Sequence, residues 1–134
     1  MAGSFSNYLE NKVLDHVLGG GDYARPGTLH FALFTVAPSD AGGGTEVSGS
    51  NYSRAAVTND ATNFPAASGG AKSNGVAITF ATPSGSWGTV VAMGVFDASS
   101  SGNLLAWADL AVSKTIGSGD VVTFPVGDFD VTLD

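Results

Sequence analysis

Apolar and β-branched residues along this chain occur mainly in short runs of strand length, separated by Gly, Pro, Ser, Asn and Asp. Runs of this kind with turn signals between them are typical of antiparallel β-structure. The predicted strands are, in chain order, residues 29–37, 52–58, 76–81, 90–97, 104–114, 121–125 and 129–133. Their number and spacing predict an all-β fold, an antiparallel jelly-roll-like sandwich of about eight strands with one short N-terminal α-helix.

The segment LHFALFTVA, residues 29–37, differs from the other runs because both of its alternating sets of side chains are largely apolar. A strand with one solvated face alternates between apolar and polar residues instead. The segment therefore predicts a strand that is covered on both faces.

Helical spacing replaces the strand pattern near the N-terminus, where one apolar stripe contains Phe5, Tyr8, Leu9, Val13, Leu14, Val17 and Leu18. Ser6 or Asn7 can cap the start of a helix, and the run Gly19–Gly21 can end it. The predicted helix covers residues 6–18. Its stripe must pack either on the chain's own sheet or on a neighbouring subunit.

The length of 134 residues predicts one domain over residues 1–134, with the helix and its cap in 1–21 and the sandwich in 22–134. Two long loops rich in small residues, 38–50 and 59–74, separate the strands. The second loop is too polar and too rich in turn residues to predict a core element. Loops of this length are often functional, and in an assembly we expect them to form contact arms.

Charged residues make up only 13% of the chain, roughly half of the ~25% that is usual for soluble domains. A surface that is covered by other subunits has less need of charge, so the composition favours a homo-oligomer. The net charge of −7 comes from 12 acidic and 5 basic residues. The bases are scattered along the chain, and we therefore expect no nucleic acid as partner.

The chain has no cysteine, which excludes disulfides and thiolate metal sites. No stretch is long and apolar enough for a membrane span, and the N-terminus lacks the pattern of a signal peptide. We therefore expect synthesis in a cytoplasm without Sec export, and no membrane partner.

Few residues are available for catalysis. His16 and His30 are the only histidines, one on the predicted helix and one in a predicted buried strand. No serine has the G-x-S-x-G surroundings of a nucleophile elbow, and no glycine-rich segment opens a helix after a strand. We therefore predict that the chain is not an enzyme and binds no cofactor.

Asp128 and Asp130 are two residues apart in a predicted strand, so their carboxylates would share one face. Two carboxylates fall short of the six or more oxygen ligands that calcium takes. The sequence therefore favours a solvated strand face over a metal site.

Trp87, Trp107, Tyr23 and Tyr52 could stack on sugars if they were exposed in a groove. Aromatic residues in alternating β runs are more often part of the core. We expect a core position for Trp107, which lies between two alanines. Trp87 follows the polar turn PSGS and fits either place.

Three stretches carry a resemblance to known proteins: NYLENKVLDHVLGG, GGGTEVSGSNYSRAAVT and NLLAWADLAVSKTIGSGDVVTFPVGDFDVTLD. Together they resemble a family of small tailed-bacteriophage virion proteins that are commonly labelled phage tail fibre proteins. The resemblance covers most of the chain except residues 59–74. Its most specific element is the motif EVSGSNYSR, with Glu46, Gly49, Tyr52 and Arg54. Similar jelly-roll proteins serve as capsid decoration, or cement, proteins, so the resemblance implies a virion structural protein.

The motif also has a local physical interpretation. Gly49 allows a turn, and Tyr52 and Arg54 would point to the same face two residues apart in an extended strand. Arg54 could then pair with Glu46 across the turn, because arginine and a carboxylate form strong bidentate pairs. We predict a structural role for these four residues, with receptor contact as the alternative.

We combine four observations into one main hypothesis: the low charge, the strand covered on both faces, the long loops and the resemblance. Under this hypothesis the chain is a capsid decoration protein, a homo-oligomer that stabilises the phage head at capsomer junctions, with the major capsid protein as partner. A trimer is implied by the resemblance alone. The alternative is a tail-fibre or baseplate-associated module that binds a host-surface glycan. Both hypotheses locate the chain in the virion, and the candidate subunit contacts are Tyr8, Leu9, Val13 and Phe64.

Overall fold

The computed structural model describes residues 3–133. Within these residues the chain forms ten strands and one helix, α1, which covers Asn7–Val17. The strands are, in chain order, β1 Gly3–Phe5, β2 Thr28–Val36, β3 Thr45–Glu46, β4 Ala55–Thr58, β5 Ala71–Ser73, β6 Ile78–Thr79, β7 Gly88–Phe96, β8 Leu104–Ile116, β9 Thr123–Phe124 and β10 Asp130–Thr132. The prediction of an all-β fold with one short helix is confirmed.

Six of the strands form the main sheet. Its order is β1-β8-β7-β2-β3, and β4 pairs with the same edge of β2 as β3 does. The other four strands form two short antiparallel ribbons, β5–β10 and β6–β9. Ile78 and Phe124 of the β6–β9 ribbon, and Phe129 just before β10, pack against one face of the main sheet, which we call the inner face. The result is an antiparallel sandwich.

β2 is covered on both faces, as its sequence predicts. Four successive side chains are buried, namely Phe31, Ala32, Leu33 and Phe34. The two odd-numbered residues belong to the main core, together with Ile78 of β6. The two even-numbered residues lie on the opposite, outer face in a smaller cluster with Ala92 of β7.

The helix begins at the predicted cap and is tied to the sheet there. Ser6 Oγ accepts a hydrogen bond from the Leu9 N–H at 3.2 Å and donates one to the Leu104 carbonyl of β8. The helix ends at Val17, and Gly19 follows with a φ of +115°, a conformation that favours glycine.

Only the first part of the apolar helix stripe packs on the chain's own core. Tyr8 and Leu9 contact the core, but no residue of α1 is buried. The exposed fractions of Leu14, Val17 and Leu18 are 56%, 70% and 70%. The second half of the stripe is therefore uncovered.

Three short strands, β1, β3 and β5, are not predicted by the sequence pattern. Each has only two or three residues, too few to show an alternation. They form because each can make backbone hydrogen bonds with a strand beside it: β1 with β8, β3 with β2 and β5 with β10. Gly3 of β1, for example, pairs with Ala108 of β8 so closely that an added Cβ would lie 2.6 Å from the Trp107 carbonyl oxygen.

Four predicted strands are shorter than expected, and one of them, the run 129–133, pairs only over Asp130–Thr132 of β10. The run 52–58 pairs only from Ala55 onward, because Ser50 and Asn51 before it have positive φ angles and form a turn. The runs 76–81 and 121–125 pair only over the two residues of β6 and β9.

The segment 59–74 contributes to the core, although its polarity predicts otherwise. Phe64 is 6% exposed and its ring lies 6.4 Å from that of Phe31, while Asn74 is 2% exposed. Phe64 is therefore largely covered within its own chain, and its role as a subunit contact stays a prediction. The other three candidates lie half-buried on α1: Tyr8, Leu9 and Val13.

Candidate functional site

The motif around Glu46 forms a bidentate ion pair. Glu46 is in β3 and Arg54 directly precedes β4, and the chain between them turns at Gly49, Ser50 and Asn51, which all have positive φ angles. Arg54 Nη2 donates to Glu46 Oε1 at 2.8 Å, and Nε donates to Oε2 at 2.9 Å. The Arg54 side chain is 7% exposed and that of Glu46 is 25% exposed, so water screens the pair only weakly.

Arg54 also holds the loop between β7 and β8. Its Nη1 donates to the carbonyl oxygens of Ala98 and Ser101, both at 2.8 Å. The guanidinium carbon lies 3.6 Å from the centroid of the Phe96 ring, which is cation–π geometry. One side chain therefore joins β3, the start of β4 and the β7–β8 loop.

Tyr52 fills the gap between β3 and β4. Its hydroxyl accepts a hydrogen bond from the Leu33 N–H at 3.0 Å and donates one to Glu46 Oε2 at 2.8 Å. The ring packs on the core side, edge-on to Trp87 with 5.2 Å between centroids. Tyr52 and Arg54 thus reach Glu46 from different faces of the sheet. The expectation of a shared face is wrong because these residues precede β4 and are not part of a regular strand.

Burial raises the pKa of the Tyr52 hydroxyl above its ordinary value of 10.0, and the hydrogen bond to Glu46 raises this pKa further, whereas the bond from Leu33 lowers it. The unfolded chain ionises this group near pH 10, while the folded chain keeps it protonated. The contribution of Tyr52 to the free energy of unfolding is therefore complete below about pH 10. Above that pH it falls by ~1.4 kcal/mol per pH unit, because the unfolded state releases a proton that the folded state retains.

Urea unfolding from about pH 9 to about pH 11 checks this prediction. Tyr52→Phe removes the titrating group, and we expect its free energy of unfolding to fall less steeply with pH than that of the unmodified chain. Equal slopes for the two proteins would contradict the prediction. The comparison is needed because burial also raises the pKa of Tyr23, which contributes to both slopes.

The β7–β8 loop, residues 97–103, is fixed at both ends. Asp97 Oδ1 accepts a hydrogen bond from the Asn103 N–H at 2.7 Å, and Oδ2 accepts one from Asn103 Nδ2 at 2.8 Å. Gly102 has a φ of +75°, and an added Cβ there would lie 2.6 Å from Asp97 Oδ1. The loop exposes small polar residues, Ser99, Ser100, Ser101 and Asn103. The sequence pattern predicts only a turn in this segment, because the hydrogen bonds that join it to Arg54 connect residues that are far apart in the chain.

The two tryptophans lie in different environments, and Trp107 differs from the sequence-based expectation. Trp87 lies in the core with 4% of its surface exposed, and its indole N–H donates to the Ser50 carbonyl at 3.0 Å. Trp107 is only half-buried, opposite Gly94 on the outer face, and its indole N–H donates to Asp40 Oδ1 at 2.8 Å. The core prediction for Trp107 is therefore wrong. Alternation along β8 turns its ring away from the main core.

The histidines lie in separate elements. His16, in the last turn of α1, accepts a hydrogen bond from the Tyr23 N–H at 3.2 Å. His30 is half-buried in β2, and its Nδ1 is buried without a hydrogen-bond partner. Neither histidine is hydrogen-bonded to a serine hydroxyl or a carboxylate within residues 3–133, so the contacts there do not build the relay of a hydrolytic triad.

The two aspartates considered as calcium ligands do not share a strand. Asp130 begins β10 and accepts a hydrogen bond from Ser73 Oγ, while Asp128 lies before the strand. Among residues 3–133, no group of three or more His, Asp or Glu side chains could hold a metal ion.

Two cavities flank the β5–β10 ribbon. The larger is a cleft of ≈ 570 Å³ between β1, β8 and the ribbon, and its lining includes Glu10, Asp128 and Asp130. The smaller is an apolar groove of ≈ 370 Å³ on the other side of the ribbon. Phe5 and Phe129 line both cavities.

Comparison with known proteins locates the chain in one family. No curated protein matches it, but the family model described as Gp80, podophage GP4 fiber I protein gp80, matches residues 4–132. This span includes the Glu46 motif, α1 and the β7–β8 loop. It supports the resemblance to phage tail fibre proteins but not the further similarity to cement proteins. In the part of the chain that the structure describes, no helix is long and apolar enough to cross a membrane. The chain belongs to the Gp80 family of podophage fibre proteins.

Proposed function

We propose that this chain is a non-enzymatic module of a phage tail fibre that contacts a glycan on the host surface. The family supports a fibre protein of the virion, and it favours the tail-fibre alternative over capsid decoration. Neither binding at capsomer junctions nor the major capsid protein as partner gains support from the family description.

The observation that carries the glycan contact is the β7–β8 loop. The buried side chain of Arg54 donates hydrogen bonds to two carbonyl oxygens of this exposed polar loop. The chain has only 5 basic residues, and one of them is used to fix the loop. A loop that is already fixed loses little conformational entropy when it binds. Serine hydroxyls and an asparagine amide can both donate to and accept from the hydroxyl groups of a sugar.

The charge of the chain indicates which glycans fit. With a net charge of −7, the protein repels anionic sugars at long range. The loop itself contains Asp97 and no basic side chain. The proposed ligand is therefore a neutral glycan.

A glycan array probed with the purified chain tests the binding step. Replacing the exposed hydroxyls with Ser99→Ala and Ser100→Ala is expected to weaken binding about tenfold, which corresponds to the loss of about 1.4 kcal/mol of hydrogen bonding. The matched control replaces two exposed serines elsewhere, Ser113→Ala and Ser118→Ala, and should bind like the unmodified chain. No reproducible hits on neutral glycans, or equal losses in both variants, would reject the glycan contact.

The location in the particle is tested separately. Gold-labelled antibodies against the chain are expected to label the tails of intact virions. Labelling of the head at many copies per particle would reject the fibre module and restore capsid decoration.

A further inference from the structure

The apolar groove beside the β5–β10 ribbon is an unfilled part of the sandwich. It is lined from the inner face of the main sheet by Leu29, Val95 and Leu105, and from the ribbon side by Phe129 and Val131. Water in such a groove contacts apolar side chains on several sides, which is unfavourable. An apolar segment that entered the groove would remove this contact.

The groove carries an unusual charge for this chain. Among residues 3–133, the charged residues that line the groove are Arg25 and Lys72, both exposed, although the whole chain has 12 acidic and 5 basic residues. Neither base is in an ion pair within residues 3–133. The rim of the groove is therefore positive in a negative protein, and it favours an occupant that carries acidic groups beside apolar ones.

The second half of α1 has this combination. Leu14 and Val17 of the helix are spaced as anchors that lie in a groove, Leu18 follows at the C-cap, and at least 56% of each is exposed. Two acids adjoin these anchors, Asp15 on the helix and Asp22 just beyond it, and both are exposed.

The two bases of α1 make contacts within their own chain, and one of them lies near one of these acids. Lys12 lies one turn from Tyr8, with its Nζ 5.6 Å from the centroid of the Tyr8 ring. His16 accepts a hydrogen bond from the Tyr23 N–H, and its Nδ1 lies 3.9 Å from Asp22 Oδ1, an ion pair only when the histidine is protonated. The exposed stripe Leu14, Val17 and Leu18, which we call the helix anchor, therefore presents apolar side chains next to negative charge.

We propose that the helix anchor of one copy docks into the apolar groove of a second copy of this chain. Apolar surface is buried on both sides, and Asp15 and Asp22 approach Arg25 and Lys72. The two surfaces differ, so the contact is head-to-tail and repeats either into a closed ring or along a filament. This inference goes beyond glycan contact, because it concerns how copies assemble and holds whether or not the β7–β8 loop binds a sugar.

Light scattering on the purified full chain and on paired variants tests the proposal. The unmodified chain is expected to have the mass of several copies. The anchor variant, Leu14→Gln with Val17→Gln, and the rim variant, Arg25→Glu with Lys72→Glu, are each expected to fall to the mass of one chain. The matched control, Val36→Gln with Val112→Gln, also replaces exposed valines but should keep the mass of the unmodified chain.

Mixing the two monomeric variants gives the sharper result. The anchor variant keeps an intact groove and the rim variant keeps an intact helix anchor, so together they are expected to form a one-to-one pair. Circular dichroism of each variant confirms that the fold is retained, since all four positions are exposed. A single-chain mass for the unmodified chain up to its solubility limit overturns the proposal. So does a mass that the folded anchor variant leaves unchanged, or a failure of the two variants to pair.

Discussion

Arg54→Met is expected to lower the free energy of unfolding by about 3 to 5 kcal/mol, the range observed when one partner of a buried ion pair is removed. Methionine keeps much of the aliphatic volume but donates no hydrogen bond. The carboxylate of Glu46 would remain, with 75% of its side chain shielded from water and, within residues 3–133, with the Tyr52 hydroxyl as its one remaining side-chain donor. The carbonyl groups of Ala98 and Ser101 would lose their bonds to Arg54 as well.

Urea unfolding of three variants separates this effect from a general loss of positive charge. Lys114→Met removes an exposed basic residue and is expected to change the free energy of unfolding by less than about 0.5 kcal/mol. Arg54→Lys keeps the positive charge but lacks the planar guanidinium that binds a carboxylate with two hydrogen bonds. Its loss of unfolding free energy should therefore be smaller than that of Arg54→Met and larger than that of the exposed control. The double change Glu46→Met with Arg54→Met should cost less than the sum of the single changes, because no unpaired carboxylate remains. An Arg54→Met chain of unchanged stability that fails only in host adsorption would instead assign Arg54 to receptor contact.

Asn74→Ala is expected to lower the free energy of unfolding by about 3 kcal/mol, since each buried group left without a partner costs about 1–3 kcal/mol. The Asn74 amide donates to the carbonyl oxygens of Val76 at 2.8 Å and Pro125 at 2.9 Å. Its Oδ1 accepts a hydrogen bond from the Phe129 N–H at 2.9 Å. The residue is 2% exposed, so water has little access to replace these bonds.

Thermal and urea unfolding of Asn74→Ala and Asn11→Ala check this prediction. Asn11 is exposed on α1, and its replacement is expected to change the free energy of unfolding by less than about 0.5 kcal/mol. Comparable losses in the two variants would show that the buried hydrogen bonds of Asn74 contribute little.

The elements that the sequence predicts well are those with a long periodic signal. Residues 29–37 carry two apolar sets, and β2 is buried on both faces. The helix begins at Asn7, directly after the predicted cap Ser6, because a side-chain cap is a local interaction within a few residues. The short strands β1, β3 and β5 lack such a signal, since their existence depends on the ladder partner.

Parts of the candidate site follow from the motif itself. The spacing of Glu46 and Arg54 across a turn predicts that they can pair, and the structure places them 2.8 Å apart. The structural role of the four motif residues stays a prediction until Arg54→Met is measured. The hydrogen bonds from Arg54 to the β7–β8 loop could not be predicted from the sequence, because their acceptors, Ala98 and Ser101, lie 44 and 47 residues away from Arg54 in the chain.

By itself, the sequence of this protein determined the all-β class, the two-sided strand β2 and the start and end of α1, because alternation, capping and glycine turns act over a few residues. Only the tertiary structure decided that Phe64 and Asn74 of a polar segment enter the core, that Trp107 faces outward, and that Arg54 holds the β7–β8 loop. It also left the second half of the helix stripe uncovered beside a groove with a basic rim. These outcomes depend on which strands become neighbours and in what register, and distant parts of the chain set that together.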